Sequence, residues 1–429
     1  MITQEIIEKA RRQVDAVQAS LQRRQTSDVN FEDDYLKAVT LEQRTDIQVK
    51  VIRDGKVGIS TTTDPEDVEG VIQRAVEAAE FGVPASYEMP GRQAIQEVKT
   101  FDDALLSLTN TDMIQLGRGM MEAVKSYNGE IKAGAGVNRS VAQVEFANSA
   151  GASYRQEHSN FSLGAGGILV RGTDILWAGY GLTQKNRLID PEEIAERAIE
   201  YFRMAERTAP MRSGSLPVIF TPGGLSALLL SLGLGLDGKN VYLGASPLKG
   251  KLDQPIADPR FSLMDDPLID FGAGSSSFDG EGLPRQRLPL IENGVLRNFV
   301  YDLDTAGRAK ARPTGHGPSR SYTNLVINPG ERPYLDMIHD LKEGLLVDSY
   351  LGLGQGNPIN GEFSANVYLG YKIENGEIVG RVKDVMLSGN AYQALKAITE
   401  ISQDRDWVQY PYTGLVPYIQ VEGLNITAK

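Results

Sequence analysis

The stretch "DIQVKVIRDGKVGISTTTD", Asp46–Asp64, decides the fold class. Ile47, Val49 and Val51 alternate, Asp54-Gly55 interrupts, and Val57 and Ile59 resume the alternation. A period of two on both sides of Asp-Gly is a hairpin, because this pair takes the positive φ angles of a two-residue turn. "DPEDVEGVIQRAVEAAEFG" (64–82) then reads as a helix. Asp64 is the expected N-cap, Pro65 the first helical residue, Glu66 and Asp67 suit the positive end, and Gly82 stops it. Upstream, Ile2, Ile6, Ile7, Val14, Val17 and Leu21 fall near helical spacing and predict an amphipathic helix within residues 2–24.

The same grammar returns later. "VAQVEFANSAGASYRQEHSNFSLGAGGILVRGTDILWAGYG" (141–181) is a run of strands punctuated by Asn-Ser and Gly turns. It leads to "DPEEIAERAIEYFRMAERT" (190–208), with Asp190 capping and Pro191 first. The fold class expected is α+β, with N-terminal sheet-and-helix lobes and a large antiparallel β-rich C-terminal domain. Residues 1–210 form the first region, whose matching halves admit two related lobes at about 1–90 and 110–210. The Pro- and Gly-bearing "TAPMRSGSLP" (208–217) separates it from the C-terminal domain, 211–429. There "IENGVLRNFV" and "IENGEIVGRV" are hairpins turning at Asn-Gly, and "GNAYQALKAITEIS" is the one clear helix.

Composition narrows the function classes. The 429 residues carry 44 Lys plus Arg against 56 Asp plus Glu, a net charge of −12, and no basic patch interrupts this field. Nucleic-acid binding is not expected. There is no cysteine, so disulfides, thiolate metal sites and cysteine nucleophiles are excluded together. The amphipathic, charged start is not a signal peptide, and no apolar run reaches membrane-spanning length. A cytoplasmic, soluble protein is expected, in which the sequons at Asn138, Asn160 and Asn425 mean nothing.

Short motifs supply little chemistry. "LLLSLGLGLDGKN" (228–240) matches G-x-G-x-x-G and nearly matches a P-loop. It lacks the βαβ context and the metal-binding Ser or Thr, so its glycines are expected to be turn residues. His158, His316 and His339 have no metal-ligand spacing. His339 is expected on an exposed helix, while His316, flanked by glycines, sits in a loop that can approach a ligand. Asp279 with Glu281 and Asp265 with Asp266 are read as solvated turns in preference to an acid/base pair. Ser246 and Lys249 form an isolated S-x-x-K without the motifs that accompany it in hydrolases.

Several long segments carry a more specific signal. "VKVIRDGKVGISTTTD" before a capped helix, "FDGEGLPRQRLPLIENGVLRNFVYDLDTAGR", "SYTNLVINPGE" and "GEFSANVYLGYKIENGEIVGRVKDVMLSGNAYQALKAI" resemble the TldD/PmbA family, once called modulators of DNA gyrase. The resemblance runs through nearly the whole chain in order. It implies two kinds of subunit. TldD-type members carry H-E-x-x-x-H on a helix after an apolar strand, with a cysteine further on, and bind zinc for peptide hydrolysis. The PmbA/TldE type lacks these ligands and pairs with a TldD-type protein. Here the strand is "LPVIF", the turn "TPGG", and the following helix "LSALLLSLGLGLDG". Ungapped counting puts the motif positions on Ala227, Leu228 and Leu232, none of which can ligate zinc or act as a base. Leu225, Leu228, Leu229, Leu232 and Leu236 follow helical spacing as core, and Gly233 and Gly235 are expected to end the helix.

The resemblance therefore implies a non-catalytic PmbA/TldE-like subunit of a zinc metallopeptidase complex that cleaves or matures small or unfolded peptides. No cofactor is expected on this chain, and zinc is expected in a TldD-type partner. The alternative is a stand-alone homodimeric peptide-binding protein without hydrolytic activity. Independently of the family, "GHGPSRSYTN" (315–324) is a polar loop entering a strand, suited to hold an extended peptide by backbone pairing. His316, Arg320, Ser321, Tyr322 and Asn324 are its candidate peptide-facing residues, and a purely structural loop is an equal reading.

Overall fold

A computed structural model describes residues 1–319 and 321–428. Its contacts divide the chain into two units: 1–199 with 267–286 and 301–321, and 200–266 with 287–300 and 322–429.

The first unit is built on one antiparallel sheet of six strands in the order β3-β2-β1-β4-β5-β6. Its elements run α1 (Ile2–Ala10), β1 (Ala16–Glu32), β2 (Tyr35–Arg53), β3 (Lys56–Thr62), α2 (Val68–Glu80), α3 (Asn110–Tyr127), β4 (Lys132–Asn148), β5 (Ser153–Arg171), β6 (Asp174–Gln184) and α4 (Pro191–Met204), the last crossing into the second unit. A helix, a three-strand meander and a helix thus occur twice. The two meanders join through β1 and β4 at the centre of the sheet. The Asp54-Gly55 turn forms as expected, with φ of 49° and 71°. Val17, Ala19, Leu21, Ile47, Val49 and Val51 bury one face under α1 and α2.

Two local readings change. The first helix ends at Ala10, and residues from Ala16 onward are strand. Val17 and Leu21 fit both periods, and Ala19 between them completes an alternation that burial in the core beneath the helices rewards. The second helix starts three residues later than expected. Asp67 is its N-cap, and Asp64 instead accepts from Glu66 N in a preceding turn. At α4 the expected cap holds, with Asp190 Oδ1 accepting from Glu192 N at 2.9 Å.

The second unit carries a thirteen-stranded sheet among the described residues, ordered β11-β10-β9-β12-β18-β8-β13-β14-β16-β19-β7, with β15 on β14 and β17 on β18. The elements are β7 (Gly214–Ser215), β8 (Val218–Phe220), α5 (Ser226–Leu236), α6 (Gly238–Leu243), β9 (Leu263–Asp265), β10 (Leu288–Glu292), β11 (Val295–Leu296), α7 (Leu303–Ala309, in the first unit), β12 (Leu325–Ile327), α8 (Tyr334–His339), β13 (Glu343–Leu351), β14 (Glu362–Glu374), β15 (Glu377–Arg381), β16 (Val385–Asn390), α9 (Ala391–Lys396), β17 (Ile398–Val408), β18 (Gly414–Val421) and β19 (Asn425–Ala428). Pairing is antiparallel except at β12–β18 and β8–β13. Both Asn-Gly hairpins form, with φ of 48° and 78° at Asn293-Gly294 and 52° and 82° at Asn375-Gly376. The helix expected across 389–402 is limited to α9, capped by Asn390, and β17 follows at once.

Candidate functional site

Helix α5, on which Ala227, Leu228 and Leu232 were singled out, follows β8, a buried strand between β18 and β13. The connecting turn is tight: a Cβ on Gly224 would lie 2.0 Å from the Val347 carbonyl oxygen, so only glycine fits. Thr221 Oγ1 accepts from Gly224 N at 3.1 Å and donates to Asp348 Oδ1 at 2.8 Å. Tyr201 OH donates to the same oxygen at 2.9 Å. Burial raises the Asp348 pKa against the stabilising Thr221 and Tyr201 bonds. Burial first, and then the Asp348 charge, holds the Tyr201 hydroxyl well above its usual range. This network is not legible in the sequence, because Tyr201 and Thr221 lie 147 and 127 residues from Asp348.

Ala227, Leu228 and Leu232 lie on α5 with 1 % of their surface exposed. Serines and glycines apart, the helix is apolar all round, with Leu230 and Leu234 half-buried and its other residues buried. Gly233 and Gly235 do not end it, and they are not turn residues. A Cβ on Gly233 would meet the Tyr412 ring at 2.3 Å, and one on Gly235 the Tyr392 hydroxyl at 2.3 Å. Close approach of two aromatic rings, not a turn, demands the missing side chains. The helix ends at Leu236, and Asp237 then caps α6 by accepting from Lys239 N at 3.0 Å. Two tyrosine hydroxyls grip its carbonyls, Tyr322 to Gly233 O at 2.8 Å and Tyr392 to Ser231 O at 3.0 Å, and Tyr350 OH holds Gly224 O in the preceding turn at 3.0 Å. Ser246 Oγ donates to Gly235 O at 2.6 Å, which gives the serine of the S-x-x-K a packing role.

The candidate peptide loop crosses from one unit to the other after Ser321. In the first unit His316 is fully buried, with Nδ1 2.9 Å from Thr314 O. Ser321 N and Oγ both donate to His316 O, at 3.0 and 2.9 Å. The Arg285 guanidinium donates to Gly315 O and Ser321 O, each at 2.9 Å. In the second unit Tyr322 is half-buried and meets Tyr412 edge-on at 4.9 Å. Asn324 is fully buried and donates to Asp266 O at 2.7 Å. Arg320 lies outside the described residues. The structure thus joins His316 to Ser321 and brings Tyr322 onto α5. His158 lies on β5 and His339, exposed, on α8.

The acidic pairs are not all solvated turns. Asp265, Asp279 and Glu281 are buried, because each takes up backbone N–H groups that a loop under cover would leave unsatisfied. Asp265 accepts from Thr323 N and Oγ1 at 2.8 Å. Asp279 accepts from Glu281 N, Leu283 N and Gly317 N at 2.8–2.9 Å. Glu281 accepts from Leu303 N at 2.8 Å, with Lys50 Nζ 3.7 Å from its other oxygen. Burial pushes the Glu281 carboxyl up to about 7 while Lys50 opposes it, and burial likewise raises Asp279. Among the described residues, no three His, Asp or Glu side chains converge as a metal site would need.

Comparison with known proteins gives the family. Models described as PmbA/TldA metallopeptidase domain 1, central domain and C-terminal domain match residues 17–79, 103–204 and 213–428. The chain belongs to the PmbA/TldD metallopeptidase family. An uncharacterized protein of Methanocaldococcus jannaschii is 29 % identical over 361 residues, covering 82 % of each chain. A metalloprotease of Methanothermobacter thermautotrophicus is 25 % identical over 398 residues, 88 % of this chain and 86 % of the relative. The crystal structure of TldE from Thermococcus kodakarensis superposes with a TM-score of 0.93 at 22 % identity, covering 100 % of both chains. A putative modulator of DNA gyrase from Thermotoga maritima gives 0.91 at 25 % identity, covering 99 % of both. The α+β class and its two-sheet construction are those of this fold. No described helix is long and apolar enough to cross a membrane.

Proposed function

We propose that this chain is a non-catalytic, PmbA/TldE-type subunit of a zinc metallopeptidase that acts on small or unfolded peptides. The observation that carries the reading is α5. At the positions where hydrolytic relatives place two ligands and a base, this helix has Ala227, Leu228 and Leu232, all enclosed. Hydrolysis by a zinc-activated water needs ligands and a base to take the proton. Those groups, and the zinc, belong to a TldD-type partner. What this chain contributes is surface. Tyr322, half-buried beside α5, is the peptide-facing candidate in the second unit, and Ser321 the one in the first; His316 and Asn324 support the loop from inside.

The test is co-expression with a TldD-type protein from the same source, followed by size-exclusion chromatography and a peptide-cleavage assay. The reading expects a mixed complex whose hydrolysis is abolished by a chelator, and no hydrolysis by this chain alone. Chelator-sensitive cleavage by the isolated chain would sink it. Exclusive homodimers in the partner's presence would favour a stand-alone peptide-binding protein.

A further inference from the structure

The six-stranded sheet holds a buried cation that the proposed subunit role does not use. Lys185, just after β6, is only 5 % exposed. Its ammonium lies 3.5 Å from His158 Nδ1, and among the described residues no carboxylate reaches ion-pairing distance of it. A buried ammonium without a counter-charge is costly and calls for an explanation. Register supplies a second cation on the same face. Arg44, Arg24, Ala142 and His158 are directly opposed across β2, β1, β4 and β5. Directly opposed residues of an antiparallel sheet point to the same side. Arg44 is neutralised by Asp46 at 2.8 Å, whereas Arg24, exposed, has no carboxylate within ion-pairing distance among the described residues. Only the short Ala142 stands between Arg24 and His158 in the row.

The charges on this site agree with the geometry. Burial first, and then Lys185 and Arg24, lowers the His158 pKa to about 3, so the ring is neutral. Its Nδ1 accepts from the Lys185 ammonium, which leaves the ring proton on Nε2 as a donor. Burial, then Arg24, lowers Lys185 to about 8, so it remains mostly charged at neutral pH. The result is two cations and one neutral donor facing one side of a sheet in a protein of net charge −12.

We propose that Lys185, Arg24 and His158 form a carboxylate-binding site on the six-stranded sheet. A carboxylate takes two parallel bonds from the Arg24 guanidinium and a charge-assisted bond from Lys185. Its single negative charge suits a protein of net charge −12 better than a polyanion does. The source is the terminal carboxylate of a peptide or a small organic acid. The proposal stands whether or not the chain is a peptidase subunit.

Calorimetric titration of the full-length protein at pH 7 tests it. The probes are an N-acetylated tripeptide acid, its C-terminal amide, acetate and sulfate. Expected is binding of the tripeptide acid with at least about tenfold weaker binding of the amide. Lys185→Met and Arg24→Gln should each weaken the acid about tenfold or more, and circular dichroism confirms that both variants are folded. Acetate binding as tightly as the tripeptide acid would assign the site to free organic acids; acetate much weaker would assign it to peptides. Failure of every anion to bind folded wild-type protein, or unchanged affinity in both variants, overturns the site. Sulfate binding more tightly than any carboxylate overturns the ligand class.

Discussion

The two units treat buried polar chemistry in opposite ways. In the second, α5 is built of leucine, alanine, glycine and serine and held by tyrosine rings and hydroxyls. In the first, Lys50, Asp279, Glu281 and Lys185 remain buried in spite of the cost. Asp279 and Glu281 recover that cost through backbone N–H donors, while Lys185 does not. A packed apolar helix resists the introduction of charge, whereas a buried charge without a counter-charge is a place where an anion would be stabilised.

The comparison breaks most severely if α5 is made polar. Restoring the zinc motif by Ala227→His, Leu228→Glu and Leu232→His should cost about 4–5 kcal/mol or abolish folding, since charge enters a closed core. Chemical denaturation measures it; a variant as stable as wild type would show that α5 is not core. A smaller effect is expected from Gly233→Ala, where the added methyl meets the Tyr412 ring at 2.3 Å. Overpacking of this kind costs about 1–3 kcal/mol, and the loss should shrink in a Tyr412→Ala background.

The opposite sign is expected at Lys185. Its folded pKa of about 8 lies below the ordinary lysine value of 10.5, so the unfolded chain binds more protons between these values and stability rises with pH across that window. The penalty is fully present below about pH 8. Without added anion, Lys185→Met should therefore gain about 1–2 kcal/mol at pH 7, with the gain fading toward pH 10.5. Denaturation at pH 7 and pH 10 separates this from a packing effect, which would not change with pH. The smallest effect concerns α3, where Thr109 and Asp112 exchange bonds in a capping box. Thr109→Ala should cost about 1 kcal/mol in the same assay.

Turns were legible in the sequence because their chemistry is local. Asp54-Gly55, Asn293-Gly294 and Asn375-Gly376 needed only their own residues, as did the Asp190-Pro191 helix start. What escaped depends on partners distant in the chain. Gly233 and Gly235 looked like helix breakers until Tyr412 and Tyr392, more than a hundred residues away, took the space of their side chains. Asp279 and Glu281 have a turn sequence that reads the same under solvent or under a covering loop. Val17 and Leu21 satisfied both periods, and only burial in the core beneath the helices chose the strand. Of the site, the apolar replacement on α5 was readable from side-chain identity alone, whereas the Asp348 network and the Lys185–His158 pair required the fold.

The central claim is that the catalytic groups lie outside this chain. Its most direct test is zinc content and peptide hydrolysis of the isolated, folded protein after equilibration with zinc and gel filtration. The account predicts no stoichiometric zinc and no hydrolysis, with both appearing when a TldD-type partner is added. One tightly held zinc per chain together with hydrolysis by the isolated protein would contradict it.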